Sequence, residues 1–363
     1  MDKKNIFMIV DTKIQFDARV QRSAMALSSR YNITLLSLNS DLNYTNPHFQ
    51  SIVYTNKYLK GFLLKVVFWM YILYYSIINK KKIDLIYIHD YPIVIAGLIA
   101  SFLTKKRWVY DAHELLLERK NTNIPIKRKF FIFLESISIK KANLVIAAND
   151  ERERIIKYVY KLKNRLVFKN IAHQQIIYTN VKNRDKYIIY QGVVSKERDL
   201  RPFIDSLQFI DTEYSLKIIG GGNALNDYKQ YVKDKGLDDR VFFTGKLSYN
   251  NLLQESINGK IGILVYPLEG LNNYYCAPNK IYEYCQIGLP IISSSQPFLI
   301  NLVEKFKIGE ILKHPLDAED IAVKINSIIL NYQNYQKNTS LLLENNSFEK
   351  EGEKLLNKML SLG

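Results

Sequence analysis

The chain has 363 residues, of which 47% are hydrophobic and 24% charged, and its formal net charge is +16. That length exceeds one ordinary core and suits two domains of roughly 150 to 200 residues each, while the apolar content excludes a disordered chain. The positive charge favours an anionic partner (nucleic acid, a phosphorylated small molecule or an anionic membrane) without choosing between them, and the abundance of Lys, Asn, Ile and Tyr accounts for part of it.

The two cysteines, Cys276 and Cys285, are too few for a disulfide framework and lack zinc-ligand companions, which predicts a reducing compartment. The first residues are charged and run into a strand with no apolar core or small-residue cleavage site, so a cytoplasmic location is expected.

In chain order, runs of branched and aromatic residues predict strands at 6–11, 33–38, 83–89, 108–111 and 144–147, with helical patterns between them. The most apolar stretch, 62–78, is interrupted by Lys65. Its unbroken run is too short for about 30 Å of hydrocarbon, so no transmembrane helix is expected there. Basic and aromatic residues at 58–82, and at 124–141 with Lys127, Arg128, Lys129, Lys140 and Lys141, fit two readings: crossover helices with solvated ends, or faces resting on anionic lipid.

The apolar period loosens over 173–185, which sets a boundary between a first domain at 1–172 and a second at 173–346, with a terminal helix at 347–363 packing back on the first. Strands at 187–191, 215–219, 241–244, 261–266 and 291–293 repeat the alternation. The expected fold class is α/β: two Rossmann-like, doubly wound domains facing across a cleft. Ligands of such sheets bind beyond the carboxyl ends of the strands, so the residues there are the candidates for chemistry.

The strongest local pattern is Ala277-Pro278-Asn279-Lys280-Ile281-Tyr282-Glu283-Tyr284, followed by Gly288-Leu289-Pro290 and the apolar pair Ile291-Ile292. Pro278 suits a first helical position, where its missing N–H costs nothing. The amides of Asn279 and Lys280 would then face an anion with the helix dipole behind them. Lys280 adds a full charge, and Glu283, four residues after Asn279, lies on the same face, where its carboxylate can accept from the two hydroxyls of a ribose. Gly288 ends the helix as a C-terminal glycine should.

This segment resembles the nucleotide-binding motif of family 4 glycosyltransferases, which have the GT-B fold, in particular those that build surface polysaccharides. Further matches fall in family order, "FDARVQRSAMAL", "YIHD", "VYDAHEL", "YQGVVSKERDL", "IIGGGN", "VFFTGKL" and "ILVYPL", so the likeness spans nearly the whole chain. It implies that Glu283 binds the nucleotide ribose and that the helix start with Pro278, Asn279 and Lys280 meets the diphosphate. Gly192 and Arg198 would lie beside the donor phosphates, where an arginine fork suits a diphosphate. Gly221, centred in Gly220-Gly221-Gly222, joins the donor-binding set, although these glycines lack the spacing of a dinucleotide fingerprint. Where many family members carry an earlier glutamate on the donor sugar, this chain has Tyr275.

The resemblance also places His113 beside the reacting sugar, and Asp17 and Arg19 in a loop turned toward acceptor and donor phosphates. Catalysis then falls to His113, Arg198 and Lys280. No Asp-x-Asp pair ends a strand and no cluster has metal-ligand spacing, so metal-independent transfer with no cofactor is expected.

The implied activity is transfer of a sugar, with retention, from a nucleotide-sugar donor to a hydroxyl of a lipid-linked or cell-surface glycan. It would be carried out by a cytoplasmic enzyme resting peripherally on the inner face of an anionic plasma membrane. The alternatives are a nucleotide-sugar epimerase of the same architecture and a basic nucleic-acid-binding protein. The second lacks any helix-turn-helix, zinc-finger or aromatic RNA motif, so nucleic acid is not an expected partner.

Overall fold

The computed structural model describes residues 3–116, 126–171, 173, 184–247 and 249–362, with the side chain of Lys127 among the few outside it. The chain folds into two compact units, Met1–Asn170 with Phe348–Gly363, and Ile171–Ser347.

In unit 1 the strands are β1 (Lys4–Val10), β2 (Tyr31–Leu38), β3 (Gln50–Tyr54), β4 (Leu85–His89), β5 (Arg107–Ala112), β6 (Leu144–Ala147) and β7 (Arg165–Val167). They form one sheet in the order β3-β2-β1-β4-β5-β6-β7, with every pairing parallel. Central strands read as continuous apolar runs, such as Ile6 to Val10, because crossover helices cover both faces and leave no wet side to alternate with. The helices are α1 (Ala18–Leu27), α2 (Gly61–Ile78), α3 (Val94–Thr104), α4 (Ile126–Ile139), α5 (Asp150–Tyr160) and, from the far end of the chain, α14 (Phe348–Leu360), which packs on α1.

Unit 2 carries β8 (Tyr187–Gln191), β9 (Ser215–Ile219), β10 (Val241–Gly245), β11 (Ile261–Leu264), β12 (Ile291–Ser293) and β13 (Gly309–Ile311), ordered β10-β9-β8-β11-β12-β13 and again all parallel. Its helices are α6 (Arg201–Ser206), α7 (Leu225–Asp234), α8 (Tyr249–Ile257), α9 (Leu271–Tyr274), α10 (Lys280–Gln286), α11 (Pro297–Phe306), α12 (Ala318–Leu330) and α13 (Tyr332–Asn345).

In each sheet the strand order reverses once, between β1 and β4 in unit 1 and between β8 and β11 in unit 2. Loops leaving such a pair diverge to opposite faces and open a crevice at the carboxyl ends. His89 ends β4, and Gly192 directly follows β8.

The segment expected to stop short of a membrane-spanning length behaves differently. Lys65 does not break it, because its ammonium bonds Asp11 at 2.7 Å, and α2 runs for 18 residues with a mean hydropathy of 1.7. By length and composition alone it is apolar enough to cross a bilayer. One side is nevertheless fixed to the sheet: Phe68, Ile72 and Ser76 are buried, Tyr75 stacks on Phe7 at 4.8 Å, and the Trp69 indole donates to Pro92 O at 2.9 Å.

Candidate functional site

In unit 2 the site is assembled around α10. Tyr284 explains its position: the ring lies over Gly262 of β11, where a Cβ would come within 2.6 Å of it. Its hydroxyl donates to Ile189 O at 3.2 Å and accepts from the Gln191 amide at 3.1 Å. Ile281, Tyr282, Tyr284 and Cys285 are fully buried, so the helix is pinned across the β8–β11 reversal. Gly288, at φ 67, turns the chain after the C-cap, Ile287.

The structure corrects the place of Pro278. The helix begins at Lys280 with Asn279 as its N-cap, so Pro278 lies before the first helical turn rather than at its first position. The Asn279 side chain makes no cap bond, and its carbonyl accepts from the Tyr282 and Glu283 amides at 3.0 Å each. Lys280 and Glu283 are paired with each other, Nζ to Oε2 at 2.6 Å, with the carboxylate nearly buried and the ammonium partly exposed.

Arg198 sits in the loop between β8 and α6, with its guanidinium 4.3 Å from the centre of the Tyr266 ring. It also donates to the Tyr190 and Tyr266 hydroxyls, and the Tyr190 hydroxyl in turn donates to Val193 O at 2.7 Å. Tyr266 in turn neighbours Cys276, which lies in the segment leading to α10.

At Gly192 a Cβ would come within 3.0 Å of Tyr190 Oη and 3.2 Å of Arg198 Nη1, a tight fit against two side-chain ends. In the triple glycine the outer two are the ones with no room. A Cβ on Gly220 would meet Gly192 O at 1.8 Å and one on Gly222 would meet Val194 O at 2.1 Å, whereas Gly221, the sequence candidate, has nothing nearer than 3.8 Å. The backbone bonds Gly192 N to Ile219 O and Val194 N to Gly221 O explain this close approach. Tyr275 is half-buried, its ring perpendicular to that of Tyr274 at 4.9 Å.

In unit 1 the structure gathers Asp17, Arg19 and His113 at the carboxyl ends of β4 and β5, together with residues not singled out from sequence. The register pairs His89 with Asp111, and the two-residue strand period puts Tyr87 beside His89 and His113 beyond Asp111 on one face. Asp111 Oδ1 accepts from Arg19 Nε at 3.0 Å and Nη2 at 2.7 Å, and its Oδ2 accepts from Tyr87 at 3.1 Å. Arg19, expected to face acceptor and phosphates, is instead buried. Its remaining nitrogen Nη1 donates to Phe168 O and Asn170 Oδ1. It organises the site from within. Asp17 caps α1 through the Val20 amide and accepts from Thr12 at 2.8 Å.

His89 Nδ1 lies 3.0 Å from His113 Nε2. Burial, followed by the Arg19 guanidinium, pushes His113 down to about 3; burial, opposed by Asp111, pushes His89 down to about 3. Both rings are neutral at pH 7. His89, Asp111 and His113 present ligand atoms within 4.8 Å of one another, a grouping that could hold a metal ion and that sequence spacing did not reveal. However, Arg19 occupies the carboxylate, and the Arg22 and Arg152 guanidiniums also act on His113.

Asp90, next to His89, is a further residue the sequence did not mark. Its backbone is at φ 66, rare for a side chain other than glycine, and burial and Glu114 raise its carboxyl well above the usual range. The signal that could have found His89 and Asp90 was their place at a strand end, in "YIHD".

Residues 173–341 match the family model of the glycosyl transferases group 1. The chain is a glycosyltransferase. No curated protein matches its sequence. Among solved structures, it is similar to HepE of Anabaena in complex with UDP and glucose, at 16% identity, with 99% of this chain and 100% of that one covered and a TM-score of 0.78. It is also similar to sucrose-phosphate synthase of Thermosynechococcus elongatus, at 15% identity, 99% and 100% coverage and a TM-score of 0.72. A third is WaaG, a glycosyltransferase of lipopolysaccharide biosynthesis, at 9% identity, 97% and 98% coverage and a TM-score of 0.72. At such identities the likeness establishes the fold, α/β with two parallel sheets of the GT-B kind.

Proposed function

We propose that this glycosyltransferase moves a sugar from a nucleoside-diphosphate donor to a hydroxyl of a lipid-linked or cell-surface glycan, as a member of family 4 and with retention. The observation that carries the donor half is the set of groups in unit 2: Arg198 beside Gly192, which follows β8 at the sheet reversal, and the paired Lys280 and Glu283 in the first turn of α10, which is buried against β8 and β11. Two cations and first-turn amides suit a diphosphate, and a carboxylate one turn on suits a ribose. That HepE was solved with UDP-glucose supports a donor of this chemical class.

In the transfer, the acceptor oxygen bonds the anomeric carbon as the bond from that carbon to the phosphate oxygen breaks. The leaving diphosphate takes the acceptor proton. Arg198 and Lys280 stabilise the charge that develops on it, which positioned cations do more effectively in a water-poor site. We assign His113 and Asp17 to the sugar and acceptor side, and no metal or cofactor to the reaction.

The proposed acceptor implies a cytoplasmic enzyme on the inner face of an anionic membrane, and one surface of unit 1 supports peripheral contact. The α2 helix is apolar yet only 22% buried, and it packs on α3, which packs on α4. Across the three, Phe102 is 81% exposed, Ile78 61% and Phe133 59%. Lysines follow α2 at Lys80, Lys81 and Lys82 and α3 at Lys105 and Lys106, while the one carboxylate on the three helices, Glu135, is buried against Tyr110 and Tyr160. A surface that is apolar in the middle and cationic at its edges is what an anionic bilayer attracts. With one face of α2 held on the sheet, such contact lies in the plane of the membrane.

Turnover of nucleotide sugars by the purified enzyme tests the assignment. Glu283→Ala is expected to abolish transfer. Undiminished turnover would remove the site, and epimer formation without acceptor would make the enzyme an epimerase.

A further inference from the structure

Both sequence and site geometry leave open what the neutral His113 ring can do, since a neutral imidazole either donates or accepts at its free nitrogen, according to its tautomer. Four observations bear on which tautomer it adopts. The first is the 3.0 Å contact between His89 Nδ1 and His113 Nε2, in which one nitrogen donates and the other accepts. The second is the Asp111 Oδ2 carboxylate oxygen, 3.6 Å from the same His89 Nδ1. The third is His89 Nε2, buried and without a partner. The fourth is that Asp111 is itself fixed by Arg19 and Tyr87, so it cannot turn away.

If the His89 proton were on Nε2, a buried N–H would have no acceptor and a lone pair on Nδ1 would face a carboxylate. Both are unfavourable. With the proton on Nδ1, the N–H points toward Asp111 and His113, and only a lone pair is left buried. That arrangement makes His89 the donor and His113 Nε2 the acceptor, so the His113 proton must reside on Nδ1. His113 is half-buried, and no hydrogen bond within the described residues engages its Nδ1.

We infer that His89 is a positioning residue that holds His113 in its Nδ1–H tautomer, so that His113 meets its substrate as a hydrogen-bond donor to an oxygen and not as a proton-accepting base. Asp111 holds His89, and Arg19 and Tyr87 hold Asp111. The relay orients the ring and transfers no proton, which agrees with a transfer in which the leaving diphosphate takes the acceptor proton. The inference rests on the assignment of His113 to the substrate, but the tautomer is a property of the unliganded enzyme.

The experiment is a ¹⁵N spectrum of histidine-labelled full-length enzyme, tractable because the chain has five histidines. The His113 signals are identified by their loss in His113→Gln. The expected pattern is a protonated Nδ1 and an unprotonated Nε2 on His113, unchanged between pH 5 and 8. In His89→Phe the ring is expected to shift toward the Nε2–H tautomer common in free imidazole. In the same variant kcat should fall about tenfold, with the donor KM changed far less. His89→Asn, whose amide nitrogen takes the place of Nδ1, is expected to restore both. A protonated Nε2 on His113 in the unsubstituted enzyme overturns the inference, as does movement of the His89 and His113 signals on adding Zn²⁺, which would make the cluster a metal site. The first result decides even if His89→Phe does not fold. Loss of the donor assignment would appear separately, as absent turnover with the tautomer unchanged.

Discussion

Lys280 and Glu283, assigned to different parts of the nucleotide, hold each other across one turn of α10 at 2.6 Å. Donor binding must therefore divide this pair, with the ammonium turning to phosphate and the carboxylate to ribose.

Calorimetry on Glu283→Gln should resolve the two roles. Nucleoside-diphosphate affinity should fall about tenfold to a hundredfold, the scale of hydrogen bonds to a charged group. Inorganic pyrophosphate should bind as well as before or better, because Lys280 is released. Equal losses for both ligands would mean that Glu283 does not contact the ribose.

The glycines of unit 2 should separate by position. Gly221→Ala should leave the melting temperature nearly unchanged, since nothing lies within 3.8 Å of the added carbon. Gly220→Ala and Gly222→Ala drive a carbon into backbone oxygens at 1.8 and 2.1 Å and should destabilise the fold strongly. Gly192→Ala presses on Arg198 and Tyr190 and should reduce turnover more than stability. A melting temperature for Gly222→Ala equal to that of the parent would contradict this packing.

Acidification should weaken the fold in a defined window. His89 and His113 titrate near 3 when folded and near 6.5 when not, so between those values the unfolded chain binds protons that the folded chain refuses, and stability rises with pH. Glu135 acts in the opposite sense. Burial lifts its carboxyl from 4.5 to about 7, so the folded chain keeps a proton there that the unfolded one loses, and this contribution fades as pH climbs to 7. Two imidazoles outweigh one carboxyl, so melting temperature should drop from pH 6.5 to 4.5, and Glu135→Gln should steepen that drop. A flat acid limb would show that the imidazoles are not held neutral.

Flotation with vesicles tests the α2–α3–α4 surface. The enzyme should rise with phosphatidylglycerol vesicles and less with phosphatidylcholine, with partial release in 0.5 M salt. Phe102→Asp with Phe133→Asp should cut the bound fraction severalfold while leaving transfer to a short soluble acceptor intact. Equal flotation by that double variant would remove this surface from consideration.

Strand after strand was legible in the chain because a parallel sheet covered on both faces turns each central strand into an unbroken apolar run. Residues 144–147, 187–191, 215–219 and 291–293 coincide with β6, β8, β9 and β12. The edge strands β3, β7 and β13 were not found, since their residues are mostly half-exposed and carry no such run.

By itself, the sequence determined the α/β alternation and the motif around Lys280 and Glu283, because apolar period, proline, glycine and charge are local and act over a few residues. Only the tertiary structure decided that Arg19 is buried against Asp111, 92 positions away. It alone brought His89 onto His113 and left no room for a carbon at Gly220. Those contacts come from strand register and from the close approach of distant backbone segments, and neither leaves a trace in residue spacing.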